Sequence, residues 1–566
     1  MTSLVTAGGV SVTIRGAVLD ESETVLDRLV SDGVPRSLTS RNANLWGPDA
    51  AAAGAGRRLG WLDLHATSRP LLGPLRELAE AAGEAGLDRV VLAGTGGSAV
   101  AAEAIAAAAG VELTVLDTAD PGQVARVAGG DGLDRTLVVV SDRSGETVET
   151  DALHRVLDGA FRDAGITGAG LARRFVVVTG PGSPLERLAA ESGHRVVRAD
   201  PGVEGAYSAL AASGLAPAAL AGADVEALLD DAERLSPALA QPYDNPALAL
   251  GATLGASALG GRDKLVLADH GSGLPGFGGW AEQLVAESTG KDGRGLLPVV
   301  VEGVDAPGFE LAPDVRRVVL GGRPDDPGPG RGSGTREAAV REAGLSVAGP
   351  LGAQFLLWEY ATAVACRVIG VDPFDRPDAR TSAEAAAALL RAEEGAAPTV
   401  VHRPPALVSG AVEVHAPEEA LKGAKSLADV LEAVLDGVDD GGYLAVMAYL
   451  DRSGDAGAER LRALLASRGA EVRKHPAPVT FGWGPRCLHT AGQYHKGGPR
   501  NGSFLQVTGH NEADVAVPGR PYTLGELQLA QAFGDQRALR SLGRPVVRLH
   551  LRDRAEGVAQ LAEALG

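Results

Sequence analysis

Cysteine is nearly absent. Cys366 and Cys487 are the only two in 566 residues, far apart and without metal-ligand spacing. That excludes a disulfide framework and a cysteine metal site, and leaves two free thiols in a reducing, cytoplasmic compartment as the expectation. Long apolar runs are missing too. The Ala-rich stretches are short or broken by charge, so none reaches the roughly eighteen residues that a membrane helix needs. The opening MTSLVTAGGVSVTIRGAVLD lacks the charged start, apolar middle and cleavage site of a signal peptide, and none is expected. An excess of positive charge is lacking as well. Lys and Arg number 53 against 72 Asp and Glu, a net charge of −19, whereas nucleic-acid binders carry clustered positive charge. Neither a nucleic-acid nor a membrane partner is expected. What remains, 45% hydrophobic and 22% charged residues, is the composition of a globular chain long enough for two or three domains.

The most informative segment is VVLAGTGGS, residues 90–98, followed directly by AVAAEAIAAAAG. An apolar strand, a glycine turn and a helix start follow one another. Gly96 and Gly97 let backbone N–H groups approach an anion closely, because no Cβ stands in the way. The helix N-terminus adds its positive dipole end, so phosphate is the expected guest. A second turn, SDRSGET, follows the strand TLVVV about forty-five residues later. It offers Ser141, Ser144 and Thr147 as hydroxyl donors and Arg143 as a cation. Two such turns, with Ser98 in the first, point to a phosphorylated small molecule.

A dinucleotide site is the competing reading. Gly94, Gly96 and Ala99 fit G-x-G-x-x-A, and Asp117 closes the next strand where a ribose-binding acid belongs. A lone match of this kind is weak, and the hydroxyl-rich second turn lies outside that fingerprint, which favours a sugar phosphate.

Along the chain from residue 90, short β-branched strands alternate with helical stretches, the pattern of an α/β unit with a parallel sheet. After a helical stretch the alternation restarts at DKLVLAD, which predicts a second unit of the same kind. The long helix LGAQFLLWEYATAVACRVI stops at Gly370, before the DPFDRP turn. GGRPDDPGPGRGSG, from residue 321, reads as a loop, and residues 395–417 as an extended excursion.

Taken together, LWGPD, GTGGSAVAAE, VSDRSGETVE, YSALAASGLAPAAL, WAEQLVAESTGKDGRGLLPVV, GVDPFDRPD, LHTAGQYHKGGPRNGSFLQ and PGRPYTLGELQLAQAFGD resemble the phosphoglucose isomerases of the sugar-isomerase (SIS) family. The likeness is nearest to the isomerase part of bacterial transaldolase/phosphoglucose isomerase proteins. It implies an α/β fold of two doubly wound SIS-type domains with parallel sheets and helical connections. The expected division is an N-terminal segment 1–60, a first domain 61–235 with the phosphate turns, and a second domain 236–566 with an insertion around 395–440. The resemblance further implies interconversion of glucose 6-phosphate and fructose 6-phosphate through an enediolate, in a homodimer, with neither cofactor nor metal.

Residue by residue, Glu287 matches the family's catalytic base and His489 its ring-opening histidine. Gly96, Gly97, Ser98, Ser141, Arg143, Ser144 and Thr147 match its phosphate-binding turns. Gln493, Lys496 and Lys291 are candidate substrate contacts, with His495 beside them. A bland alternative for Glu287 is a helix-end acid paired with Lys291, four residues on. Three positions depart from the family. Its Gly-Gly-Arg, whose arginine stabilises the enediolate, is Glu204-Gly205-Ala206 here. The lysine expected six residues after the proline of its NPFDQP turn is Ala383, and Glu146 lies inside the second phosphate turn, where Arg143 is expected to offset it. These departures favour an alternative function: a catalytically weak or silent homologue that binds a sugar phosphate or a partner as a regulator.

Overall fold

The computed structural model describes residues 1–322, 334–391, 404–474 and 476–566. In chain order its strands are β1 (Thr2–Ala7), β2 (Val10–Arg15), β3 (Arg89–Gly94), β4 (Thr114–Leu116), β5 (Thr136–Ser141), β6 (Phe175–Thr179) and β7 (Arg195–Arg198). There follow β8 (Lys264–Asp269), β9 (Leu297–Val301), β10 (Val315–Leu320), β11 (Leu345–Ala348), β12 (Leu407–Ser409) and β13 (Val412–His415). The last four are β14 (Tyr443–Tyr449), β15 (Val479–Trp483), β16 (Gly502–Gly509) and β17 (Val546–Leu551).

The first sheet is parallel throughout, in the order β4-β3-β5-β6-β7. Its central strands are continuous β-branched runs because helices cover both faces; Val138, Val139 and Val140 are wholly buried. With β4 on one side of β3 and β5 on the other, the connections leaving β3 and β5 diverge. A crevice opens outside their carboxyl ends, the place where sheets of this kind hold ligands. The helix Gly97–Ala109 leaves β3 there, and the SDRSGET turn leaves β5.

The α/β class with parallel sheets and helical connections stands as expected. The strands after residue 262, however, are shared between two sheets. β8, β9, β10 and β11 form one, in the order β11-β10-β8-β9, and the N-terminal hairpin β1–β2 completes it through an antiparallel pairing of β2 with β11. Within residues 1–60, Thr2–Ala7 and Val10–Arg15 are thus strands of this second sheet. The third sheet runs β12-β13-β17-β16-β14-β15. Part of the excursion expected around 395–417 is its edge hairpin, with β13 antiparallel to β17; residues 392–403 and most of the loop from 321 lie outside the described residues. Continuous apolar strands announce a parallel sheet, but nothing in them says which strand becomes the neighbour.

One buried helix links these units. Leu351–Ile369 is apolar on nearly every face. It lies so close to the helix Pro246–Leu259 that a Cβ on Gly251 or Gly255 would come within 2.7 Å of Val364 or 2.5 Å of Val368. Left-handed Gly370 (φ 83°) ends it and delivers the DPFDRP turn to the crevice of the first sheet.

Candidate active site

Three separate stretches meet at the carboxyl ends of β3 and β5. Gly96 (φ 78°) turns the chain into the helix Gly97–Ala109. A Cβ on Gly96 would lie 3.9 Å from the Cβ of His489. One on Gly97 would strike Gln283 Oε1 at 2.6 Å, the Gly205 carbonyl at 2.7 Å and Ala206 Cα at 2.9 Å. The glycine turn is thus the surface on which the helix of Glu287, the segment of Ala206 and the loop of His489 close. Ser98 sits half-buried in the first turn of the helix.

Glu287, near the end of the helix Phe277–Thr289, is 6% exposed. Gln283, one turn back, donates through Nε2 to its Oε2, and Arg376 Nη1 pairs with its Oε1. Burial pushes this carboxyl above its ordinary range, and the Arg376 charge pulls it part of the way back. The pairing of Glu287 with Lys291 is not found. The helix ends at Thr289, and the buried Lys291 ammonium donates instead to the carbonyls of Asp372, at 2.5 Å, and Asp375, which offset the desolvation that lowers its pKa. Its role is to clamp the turn that carries Arg376.

His489 closes a short 3-10 turn, Arg486–His489, after β15. Its Nε2 lies 2.8 Å from Glu149 Oε1, which also accepts from Gln531 Nε2 at 2.6 Å. Burial alone would lower the imidazole pKa, but the Glu149 carboxylate outweighs it and holds His489 above its ordinary value. Burial likewise works to raise Glu149, yet His489 prevails and keeps that carboxyl below its usual range. A carboxylate–imidazole pair of this kind fixes the ring and keeps a proton ready at neutral pH. Glu149 escaped the sequence reading, although it stands five residues after Ser144 in the same turn-and-helix segment.

The second phosphate turn is arranged differently from expectation. Asp142 occupies it: Oδ1 accepts from the Ser144 amide (3.0 Å) and hydroxyl (2.9 Å), and Oδ2 from the Thr147 amide (2.8 Å). Ser141 is buried at the end of β5. The expected pairing of Arg143 with Glu146 is replaced by one with Glu204, at 2.6 Å, while the Glu146 side chain is exposed. Glu204 is the hub of a cationic cluster, meeting Arg58 at 3.4 Å and Arg376 at 2.9 Å besides Arg143. Three guanidiniums thus gather around Glu204, and one of them, Arg376, also faces Glu287.

The other candidate contacts are committed elsewhere. Gln493 donates to the Gly290 carbonyl (2.9 Å) and Asp378 (2.8 Å), and Lys496 forms a buried pair with Asp535 (2.8 Å). Buried His495 packs against Tyr443 and Phe504. Their motif, AGQYHKGG, holds the His489 loop in place by packing. Asp117, the ribose acid of the dinucleotide reading, is 2% exposed and taken by Arg486 at 2.8 Å. Arg486 also meets Glu103 at 2.7 Å, and Arg554 reaches Asp120 at 2.9 Å. These pairs fasten the third sheet to the turns of the first. Both thiols are buried, each pushed up to about 12 by desolvation, and neither is a nucleophile. Among the described residues no helix is long and apolar enough to cross a membrane.

No family model matches the chain. It is 39% identical over 218 residues to the probable glucose-6-phosphate isomerase of Haloarcula marismortui, an alignment covering 37% of this chain and 49% of that protein. It is 36% identical over 193 residues to the glucose-6-phosphate isomerase of Rubrobacter xylanophilus, covering 33% and 44%. The chain thus spans about half the length of the curated relatives it matches. Among solved structures, a hypothetical protein from Thermus thermophilus shares the fold, with a TM-score of 0.54 and 24% identity over 67% of this chain and 97% of that one. The resemblance read from the motifs therefore stands: in sequence the chain is similar to glucose-6-phosphate isomerases, and its fold is one that an independently solved α/β structure shares.

Proposed function

We propose that this chain is an aldose–ketose isomerase that interconverts glucose 6-phosphate and fructose 6-phosphate through an enediolate. The observation that carries the reading is the convergence of the Glu287 helix, through Gln283, and of the His489–Glu149 pair on the Gly96–Gly97 turn. The phosphate would sit on the backbone amides at the start of the helix Gly97–Ala109, with Ser98 beside them and Arg143 as the cation of the second turn. His489, protonated by virtue of Glu149, donates to the ring oxygen and opens the sugar. Glu287, poorly solvated and so more basic than an exposed carboxylate, takes the C2 proton and returns it to C1. The chemistry needs no cofactor. We place the enzyme in the cytoplasm and expect a homodimer, which light scattering on a sizing column tests.

The direct test is a coupled assay of the purified chain with fructose 6-phosphate, reading glucose 6-phosphate formed. Turnover that is abolished by both Glu287→Gln and His489→Asn supports the reading. No turnover by the unmodified chain, with tight sugar-phosphate binding, supports instead a silent sugar-phosphate-binding homologue. The Asp142 carboxylate seated among the donors of the second turn is the observation that favours this second reading.

A further inference from the structure

We propose that Arg376 supplies the positive charge that holds the enediolate oxygens opposite Glu287, a charge that position 206, an alanine, cannot supply; the inference rests on the isomerase reading above. The turn bearing Arg376 packs directly on the segment of Ala206. Phe374 lies 5.3 Å from the Tyr207 ring, and Arg376 Nη2 meets Glu204 at 2.9 Å. Residues on both sides of Ala206 thus touch this turn, so a cation at 376 projects into the space beside 206. The turn is held firmly. Lys291 binds the carbonyls of Asp372 and Asp375, and Arg58 donates to the Phe374 carbonyl at 3.0 Å. Trp46 packs edge-on against the Phe374 ring at 5.3 Å. The Arg376 side chain remains 30% exposed, open to a ligand in the crevice.

The charge balance of the proton transfer gives Arg376 its task. Before transfer its two arms pair with Glu287 and Glu204. As the C2–H bond breaks, the proton goes to a Glu287 oxygen. The electron pair left behind forms the C1–C2 double bond, and the carbonyl pair moves onto O1. Glu287 is then neutral and the new oxyanion lies beside it, so the guanidinium arm that faced the carboxylate faces the enediolate. A counter-charge thus stays beside the transferring charge throughout, and the enediolate takes the place of the Glu287 carboxylate on that arm. Glu204 keeps the other arm fixed and is itself held by Arg58 and Arg143.

The test compares two ligands by calorimetry. 5-Phospho-D-arabinonate carries a planar anionic group where the enediolate oxygens would lie, and sorbitol 6-phosphate carries only hydroxyls there. We expect the unmodified chain to prefer the arabinonate and Arg376→Gln to lose at least about tenfold of that preference, with sorbitol 6-phosphate affinity changed by no more than about threefold. Arg376→Lys, which keeps the charge and loses the fork, should fall between. Ala206→Arg combined with Arg376→Gln should recover most of the preference. In turnover, Arg376→Gln should lower kcat by about 10² to 10³ with KM little changed, the cost of losing one preorganised donor. A preference absent from the unmodified chain, a preference unchanged by Arg376→Gln, or equal losses for both ligands would each overturn the proposal. A preference that depends on Arg376 in a chain without turnover would overturn the isomerase reading alone.

Discussion

Replacing Glu149 with Gln isolates the charge in the His489 pair, because one oxygen, Oε1, accepts from both His489 and Gln531 and an amide oxygen can keep both contacts. Only the carboxylate charge is removed. An opposite charge in contact moves a pKa by about one to three units. His489 keeps 32% of its side chain exposed, so screening places the cost of losing this charge near the lower end of the range for a charge-assisted hydrogen bond, about 1.5 kcal/mol. The sign follows for each partner. His489 is held above its ordinary 6.5, so its share of stability is complete below that pH and is lost as pH rises through the folded value. Glu149 is held below its ordinary 4.5, so its share is present above that pH and is lost as pH falls through the folded value. The pair therefore stabilises most between these limits. The melting temperature of Glu149→Gln should lie furthest below that of the unmodified chain between pH 4.5 and 6.5, and the gap should narrow on both sides. An NMR titration of the imidazole should show the His489 pKa falling in the variant. A gap in Tm that does not vary with pH, or an unmoved His489 titration, would refute the reasoning.

Two further outcomes follow from the turns. Asp142→Ser removes the internal carboxylate that occupies the Ser144 and Thr147 amides. Glucose 6-phosphate should then bind about tenfold more tightly, roughly 1.4 kcal/mol, and calorimetry that shows unchanged or weaker binding would mean that this turn does not seat the phosphate. Gly97→Ala places a Cβ 2.6 Å from Gln283 Oε1 and 2.7 Å from the Gly205 carbonyl. It should cost about 1–3 kcal/mol in denaturant unfolding, and a variant as stable as the parent would show that the three segments do not close on this glycine.

What could be read from the chain was local. The Gly96–Gly97 turn, the helix ending at Gly370 and the acid Glu287 each sit in a short stretch whose residue types dictate the geometry. What could not be read depends on meetings between distant segments. Glu149 and His489 stand 340 residues apart, and Arg376 reaches Glu204 across 172. Lys291 shows the same limit at short range. Its spacing from Glu287 suits a helical ion pair, but the helix ends at Thr289, and Lys291 beyond it meets the carbonyls of Asp372 and Asp375 instead. Glu146 and Asp142 exchange roles for a related reason, since the shorter side chain at the start of the turn folds back onto its amides. The hairpin β1–β2 pairs with β11 across more than three hundred residues, and no pattern within either strand announces it.

The most direct measurement is deuterium incorporation at C2 of glucose 6-phosphate and C1 of fructose 6-phosphate during turnover in D2O, followed by NMR. Glu287, gripped by Gln283 and Arg376, is the group we propose to move this proton. The amide of Glu287→Gln keeps the shape but cannot act as a carboxylate base. The account predicts exchange by the unmodified chain and none by Glu287→Gln, with binding of both sugar phosphates retained. Equal incorporation with and without the Glu287 carboxylate would contradict it.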